Sequence, residues 1–398
     1  MTARADTSHA SRRTLVSACV AHALHDGMID SILVLLPVFQ AQFALSYGVV
    51  GLLRATATGT MAAAQIPAGR LAARLGGRAV LVAGTVMAAA GYLVAGLSIG
   101  FPMLLAGLAL IGLGASVQHP IASELISGVY TQARRRMALG VYNFTGDIGK
   151  TILPPSAALL LTVLDWRLVC GTIFVTAFVL GLALLGTLPD ASPQSPAAAT
   201  DMRGGATPSP SAAPFRVLVG IGILDSATRM AFLTFLPFLL SAKGGSLETT
   251  GLALSLIFVG GALGKFVCAW LGARIGPIAT VIVTEVLTAA AIAAVGVLPL
   301  TGALACLPLL GIALNGTSSV LYGSVAELVP ESARQRAFAY FYTATIGSGA
   351  AAPVLAGLFI DRAGLWAMLG VAALLALLVI PLALILRPAF RALEAQAP

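Results

Sequence analysis

Charge is scarce in this chain, with Asp, Glu, Lys and Arg together making up 10% of 398 residues, against roughly 25% in ordinary soluble domains. Lysine is scarcer still: Lys150, Lys243 and Lys265 are the only ones among 23 basic residues. Four cysteines, Cys19, Cys170, Cys268 and Cys306, lie inside apolar runs with no CxxC spacing. Neither a disulfide framework nor a zinc site is indicated, and they read as small apolar residues. No Walker A sequence, no HExxH and no GxGxxG at a strand end is present, so ATP hydrolysis, metalloproteolysis and dinucleotide chemistry have no support. "GLSIG" at 96–100 fits G-x-S-x-G, yet it sits in a short connection between apolar runs instead of a strand-to-helix turn. The chain is expected to be no enzyme and to need no cofactor.

What fills the sequence is apolar. Hydrophobic residues make up 58%, and the mean hydropathy is +0.96. Runs of about 20 residues or more, each long enough to cross roughly 30 Å of hydrocarbon as a helix, recur along the whole length. Twelve are expected: 14–41, 47–73, 79–99, 101–129, 138–162, 168–188, 215–241, 247–273, 276–298, 301–329, 337–360 and 364–386. Residues 1–13 are polar and the run behind them is too long for a signal-peptide core, so the first helix serves as its own insertion signal.

Charge sets the orientation. With both termini cytoplasmic, the inner segments hold Arg4, Arg12, Arg13, Arg70, Arg74, Arg78, Arg134, Arg135, Arg136, Arg203, Arg216, Arg274, Arg334, Arg336, Arg387 and Arg391. The outer loops then hold only Arg167, Lys243 and Arg362. That asymmetry follows the positive-inside rule and predicts an N-in, C-in protein of a bacterial-type inner membrane. The net charge of +8 is thereby accounted for by topology, with no nucleic-acid partner implied.

Residues 189–214, "PDASPQSPAAATDMRGGATPSPSAAP", are too poor in apolar surface to order themselves and divide the spans six and six. The halves repeat at an offset of 200: "LAARLGG" at 71–77 with "LGARIGP" at 271–277, and Arg134, Arg136 and Tyr142 with Arg334, Arg336 and Tyr342. The expected organisation is a tail at 1–13, a six-helix bundle at 14–188, a cytoplasmic linker at 189–214, a second bundle at 215–386 and a tail at 387–398. Parallel repeats of this kind place a substrate site near the midplane and alternate its access by rocking.

"GRLAARLGGR" at 69–78 resembles the helix 2–3 loop motif of the major facilitator superfamily, and "DWR" at 165–167 resembles the Trp-Arg before its helix 6. The resemblance covers essentially the whole chain. "HDGMIDSILVLLPVFQAQFALSYGVVGLL", "GLGASVQHPIASELI" and "NFTGDIGKTILPP" resemble most the fosmidomycin-resistance group of drug exporters. Two positions depart from the pattern. Ala73 stands where the loop motif is usually acidic, and Asp147 and Lys150 interrupt the usual glycine-rich stretch of helix 5. The resemblance implies a gating role for Arg70, Arg74 and Arg78, and places helices 1, 4, 7 and 10 around the central cavity.

Ionisable groups within apolar spans are the candidate site, since each costs at least about 2.5–3.5 kcal/mol at mid-bilayer unless it is paired or hydrated. "HALHDGMID" puts His22, His25, Asp26 and Asp30 on one helical stripe by its spacing of four. Asp26 with His25 is the first proton-coupling candidate, and Glu124 with Asp147 the second. His22 and Asp30 are candidates for substrate contact or for structural bonds, Asp30 pairing with Arg54. A metal site from His22, His25 and Asp26 is possible by ligand type, but no second shell is visible.

The cations Arg54, Lys150, Arg229 and Lys265 are opposed by Asp26, Asp30, Glu124, Asp147, Asp225 and Glu285, with Asp147–Lys150 and Asp225–Arg229 at helical spacing for local pairs. They read either as structural ion pairs or as clamps for an anionic or zwitterionic substrate. Gln118, His119, Asn315 and Tyr322 add polar groups on the expected helices 4 and 10.

The expected protein is a monomeric proton-coupled exporter of a small amphipathic or anionic compound. A proton-symport uptake permease and a non-transporting receptor are the alternatives. Protease added to inside-out vesicles should cut within 189–214 and leave two membrane-embedded halves; cutting from the outer face instead would reverse the orientation.

Overall fold

The computed structural model describes residues 2–188 and 213–394. Helices follow one another as α1 (Thr2–Phe43), α2 (Tyr47–Leu75), α3 (Gly77–Gly96), α4 (Phe101–Ala115), α5 (Gln118–Val129), α6 (Gln132–Leu160) and α7 (Trp166–Thr187). After 189–212, which lie outside the described residues, come α8 (Ala213–Ala242), α9 (Leu247–Ile275), α10 (Pro277–Val297) and α11 (Leu300–Leu328). A short 3-10 turn, Glu331–Ala333, then leads into α12 (Arg334–Ala363) and α13 (Leu365–Glu394). No strand occurs among the described residues.

Twelve rods result, because α4 and α5 are two pieces of the single expected run 101–129. The break falls at Ser116–Val117, where Pro120 has no N–H to offer the Ser116 carbonyl. The Ser116 hydroxyl turns back on the Leu113 carbonyl at 2.6 Å, and helical bonding resumes with Ile121 N–H to the Val117 carbonyl at 3.2 Å. Ten helices are long and apolar enough to cross a membrane, α4 and α5 counting as one. The other two, α2 and α6, have 29 residues each and carry more charge: Arg54, Arg70 and Arg74 on one, and Arg134–Arg136, Asp147 and Lys150 on the other. α1 and α13 extend past the apolar runs at either end of the chain, as helices can once their backbone reaches water.

Contacts divide the chain into two units, one of Met1–Phe43 with Thr56–Gly205 and the other of Ala44–Ala55 with Ala206–Pro398. The first nine residues of α2, Tyr47–Ala55, belong to the second unit, and their start is tied to it. The Asp361 carboxylate of α12 accepts from the N–H groups of Tyr47 and Gly48, both at 2.8 Å, satisfying two orphan donors at a helix start. In the first unit α1 packs on α6, and α3 on α4 and α7. In the second, α9 and α10 pack on α11, α8 on α12 and α13, and α10 on α13.

Repeat-related glycines make the same turn in each unit. Gly76 before α3 has φ 88° and Gly276 before α10 has φ 82°, a backbone region a Cβ disfavours. The α1–α6 crossing depends on glycine for a different reason. A Cβ on Gly149 would overlap the Ala23 carbonyl, and one on Gly146 would lie 2.7 Å from both the Asp26 carboxylate and the His22 ring. Small residues let helix backbones approach this closely in lipid.

Gly149→Ala should therefore destabilise the purified protein by about 1–3 kcal/mol, the usual cost of overpacking. Gly171→Ala, with no atom within 4 Å of its added Cβ, should leave the melting temperature unchanged or slightly raised.

Candidate functional site

In the first unit three helices, α1, α5 and α6, converge on one carboxylate. Asp26 on α1 receives Lys150 Nζ of α6 at 3.1 Å, His22 Nε2 from one turn earlier at 3.4 Å, and His119 Nε2 of α5 at 3.7 Å. The Tyr142 carbonyl can only accept, so its 2.7 Å bond to His22 places a proton on Nδ1. The Tyr142 ring stacks on His22 at 4.2 Å, and its hydroxyl donates to the Gln118 carbonyl at 3.1 Å. Gln118 Nε2 reaches the Ala18 carbonyl and the Tyr142 hydroxyl, both at 3.4 Å.

Side-chain exposure runs from 3% for His22 and 15% for Asp26 to 32% for Lys150 and 45% for His119. The cluster is thus walled on the His22 side and open on the His119 side. An ion pair of this kind is set by helix approach: Gly146 and Gly149 bring α6 onto α1 so that Lys150 reaches Asp26 across the gap. Lys150 thus bonds across to α1, and Asp147, one turn before it on α6, is itself buried and has partners of its own.

His25 takes another direction. It is fully buried, and its Nε2 lies 2.9 Å from Thr85 Oγ1 of α3. The Thr85 hydroxyl already donates to the Leu81 carbonyl at 2.8 Å, so it accepts from His25. The four polar residues of "HALHDGMID" therefore do not share one face. Positions 22 and 26 are one turn apart, whereas 25 is rotated about 100° from 26. The imidazoles within ion-pair distance of Asp26 are those of His22 and His119.

Three ligand-type atoms, one each from His22, Asp26 and His119, lie within 4.8 Å of one another, and His22 has the backbone-anchored Nδ1 common among metal ligands. Among the described residues this trio, not His22 with His25 and Asp26, is the set that could hold a metal ion. Any such ion would compete with the Lys150 ammonium for the same carboxylate.

The second unit holds a separate polar relay. Arg229 Nη1 donates to Ser318 Oγ at 2.7 Å, and the Ser318 hydroxyl donates to the Asp225 carboxylate at 3.2 Å. The expected Asp225–Arg229 pair is thus bridged by a serine of α11. Glu285 of α10 is 1% exposed. Thr317, bonded to Thr284 at 2.8 Å, lines the same α10–α11 seam. Tyr322 stacks on Tyr342 at 4.6 Å, and Asn315 turns its amide back to the Gly311 carbonyl at 3.4 Å.

The other candidates are spread out. Lys265 is exposed on α9 and Glu124 exposed on α5, while Asp30 and Arg54 are both buried. Arg70 and Arg74 are exposed, and Arg78 ties α3 to α7 through the Leu185 carbonyl at 3.3 Å. Sequence reasoning missed Tyr142 and Thr85 as members of the site. The recurrence of Tyr142 as Tyr342 was the signal available for the first; a lone threonine in an apolar helix gives none for the second.

The family model described as Major Facilitator Superfamily matches residues 18–224 and 218–396. The chain belongs to the Major Facilitator Superfamily. Among solved structures, it is similar to a bacterial homolog of the human lysosomal transporter Spinster in an inward-facing, unoccupied conformation. That match has a TM-score of 0.78 and 15% identity, over 96% of this chain and 98% of that one. It is also similar to a peptide transporter POT in complex with alafosfalin, with a TM-score of 0.74, 13% identity and 94% of both chains covered. These likenesses show the fold. Over 171 residues it is 28% identical to the uncharacterized MFS-type transporter Rv1250 of Mycobacterium tuberculosis. That stretch is 42% of this chain and spans only 29% of the relative's length. Superfamily membership makes the chain a multi-pass membrane protein of a transporter family.

In this transporter Lys150 and Asp26 should be energetically coupled. Lys150→Met leaves a half-buried carboxylate without its ammonium and should lower stability by about 1–3 kcal/mol. Asp26→Asn combined with Lys150→Met should recover most of that loss in melting measurements, and simple additivity of the two changes would rule the coupling out.

Proposed function

We propose that the chain is a proton-coupled secondary transporter of the inner membrane that exports a small amphipathic or anionic organic compound by alternating access. In its motifs it is nearest the fosmidomycin-resistance group of drug exporters. The observation that carries this reading is the Asp26 carboxylate held between Lys150, His22 and His119 on a partly open face of the first unit. A carboxylate there must be neutralised by Lys150, by a proton or by a donor group of the substrate. Proton and substrate that compete for one carboxylate exchange across the membrane, because each leaves when the other binds.

The energy source supports the same reading, since no nucleotide-binding motif is present in the sequence and a secondary transporter runs on an ion gradient. Both termini are placed in the cytoplasm by the distribution of arginines, and the protein functions as a monomer. His25, Glu124 and Asp147 are assigned supporting roles in proton movement. Substrate contacts are assigned to His22, Asp30, Arg54, Gln118, His119, Lys150, Asp225, Arg229, Lys265, Asn315 and Tyr322, and gating to Arg70, Arg74 and Arg78.

The Lys150–Asp26 bond favours one second reading. If an anionic group of the substrate binds Lys150, a proton on Asp26 releases that ammonium for it. Proton and anion then bind together, which is symport and uptake. The two readings differ in sign: exchange requires substrate affinity to fall as pH falls, and symport requires it to rise.

Asp26→Asn should abolish accumulation of fosmidomycin driven by an imposed proton gradient in inside-out vesicles, while downhill exchange of the compound persists. Concentration against the gradient by the Asn variant would remove Asp26 as the coupling site.

A further inference from the structure

A cavity of about 350 Å³ opens in the second unit beside the turn between α9 and α10, lined by none of the residues assigned above. Its floor is the start of α10. Gly276 offers that helix no side-chain cap, Pro277 has no N–H, and the first backbone bond is Thr280 N–H to the Gly276 carbonyl at 3.2 Å. The N–H groups of Ile278 and Ala279 are therefore the free donors of a first helical turn, with the positive end of the helix dipole behind them. Opposite stand Arg387 and Arg391, one turn apart on α13 and both lining the cavity. Both are exposed, and neither has a hydrogen bond or ion pair among the described residues.

The remaining wall is hydrocarbon, from Ile282, Val283 and Phe390. The end of α9 places this cavity at a membrane boundary. Trp270 is 56% exposed, and the Arg274 guanidinium lies over its ring at 4.7 Å, the pairing of aromatic and cation typical of a helix end among headgroups.

The repeat supplies a contrast. In the first unit the position equivalent to Ile278 is Arg78, whose guanidinium spans from α3 to the Leu185 carbonyl of α7. That helix start brings its own cation and uses it as a tie. In the second unit the cations come from the last helix and make no ion pair among the described residues.

We propose that this cavity binds the phosphate of an anionic phospholipid, the headgroup lying between Arg387, Arg391 and the start of α10 and the acyl chains running along Ile282 and Val283. Two unpaired guanidiniums and free backbone donors fit a phosphate diester, and the apolar wall fits its tails. Basic pockets between spanning helices are a known setting for anionic headgroups. The inference concerns the bilayer and is independent of which substrate is carried.

The full chain in mild detergent should be titrated with dioleoyl-phosphatidylglycerol, with dioleoyl-phosphatidylcholine and with inorganic phosphate, following bound lipid by native mass spectrometry and the melting temperature in parallel. Phosphatidylglycerol should bind and raise the melting temperature; phosphatidylcholine and phosphate should not. The double variant Arg387→Gln with Arg391→Gln should weaken phosphatidylglycerol binding roughly 10- to 30-fold, on the order of two headgroup contacts. Ile282→Trp, which fills the cavity and keeps both charges, should weaken it similarly. Arg216→Gln, removing an exposed charge of the same unit outside the cavity, should have no effect. Equal protection by inorganic phosphate would make this a free-anion site and overturn the lipid assignment. Unchanged affinity in the double variant, or an equal loss in Arg216→Gln, would overturn the site itself.

Discussion

Asp26 is placed in a helix otherwise fit for hydrocarbon, and an ionised carboxylate there is tolerable only beside a counter-charge. Much of the first unit's local architecture supplies one. Gly146 and Gly149 let α6 lie against α1, Lys150 then reaches the carboxylate at 3.1 Å, and Tyr142 fixes His22 by both ring stacking and its carbonyl. Pro120 breaks the helix just before His119, so that α5 starts afresh and brings a second imidazole to the same oxygen pair. A site assembled this way can exchange one cation for another without unfolding, because its walls are held by packing and backbone bonds and not by the ion pair alone.

The two units use one design with different contents. Both turn at a left-handed glycine, Gly76 and Gly276, and both stack the ring of a repeat-related tyrosine, Tyr142 on His22 and Tyr342 on Tyr322. The first unit meets its buried acid with a lysine and two histidines. The second routes an arginine through a serine hydroxyl to Asp225. Repetition of the fold therefore does not repeat the chemistry.

The scarcity of charge gives each remaining ionisable residue a strong constraint. In a soluble domain an exposed Arg387 or Arg391 would be one of many solvated cations. Here two guanidiniums with no ion pair among the described residues stand beside an uncapped helix start, a donor set suited to an anionic group.

The helical class, the number of rods, the repeat and the list of ionisable residues within apolar runs were legible from the amino-acid order alone. Hydrophobic length and helical spacing are local properties, and burial in lipid forces every backbone bond to close within its own segment. Asp26 and Lys150 could be named as candidates, but not as partners, since their meeting depends on how closely α1 and α6 approach and hence on Gly149 against Ala23. The same holds for His25, which a one-dimensional stripe joined to Asp26 and which packing turned to Thr85. Sequence spacing determines which residues share a helix face; only the crossing of helices decides which faces meet, because side-chain partners more than one turn apart are set by the distance between backbones.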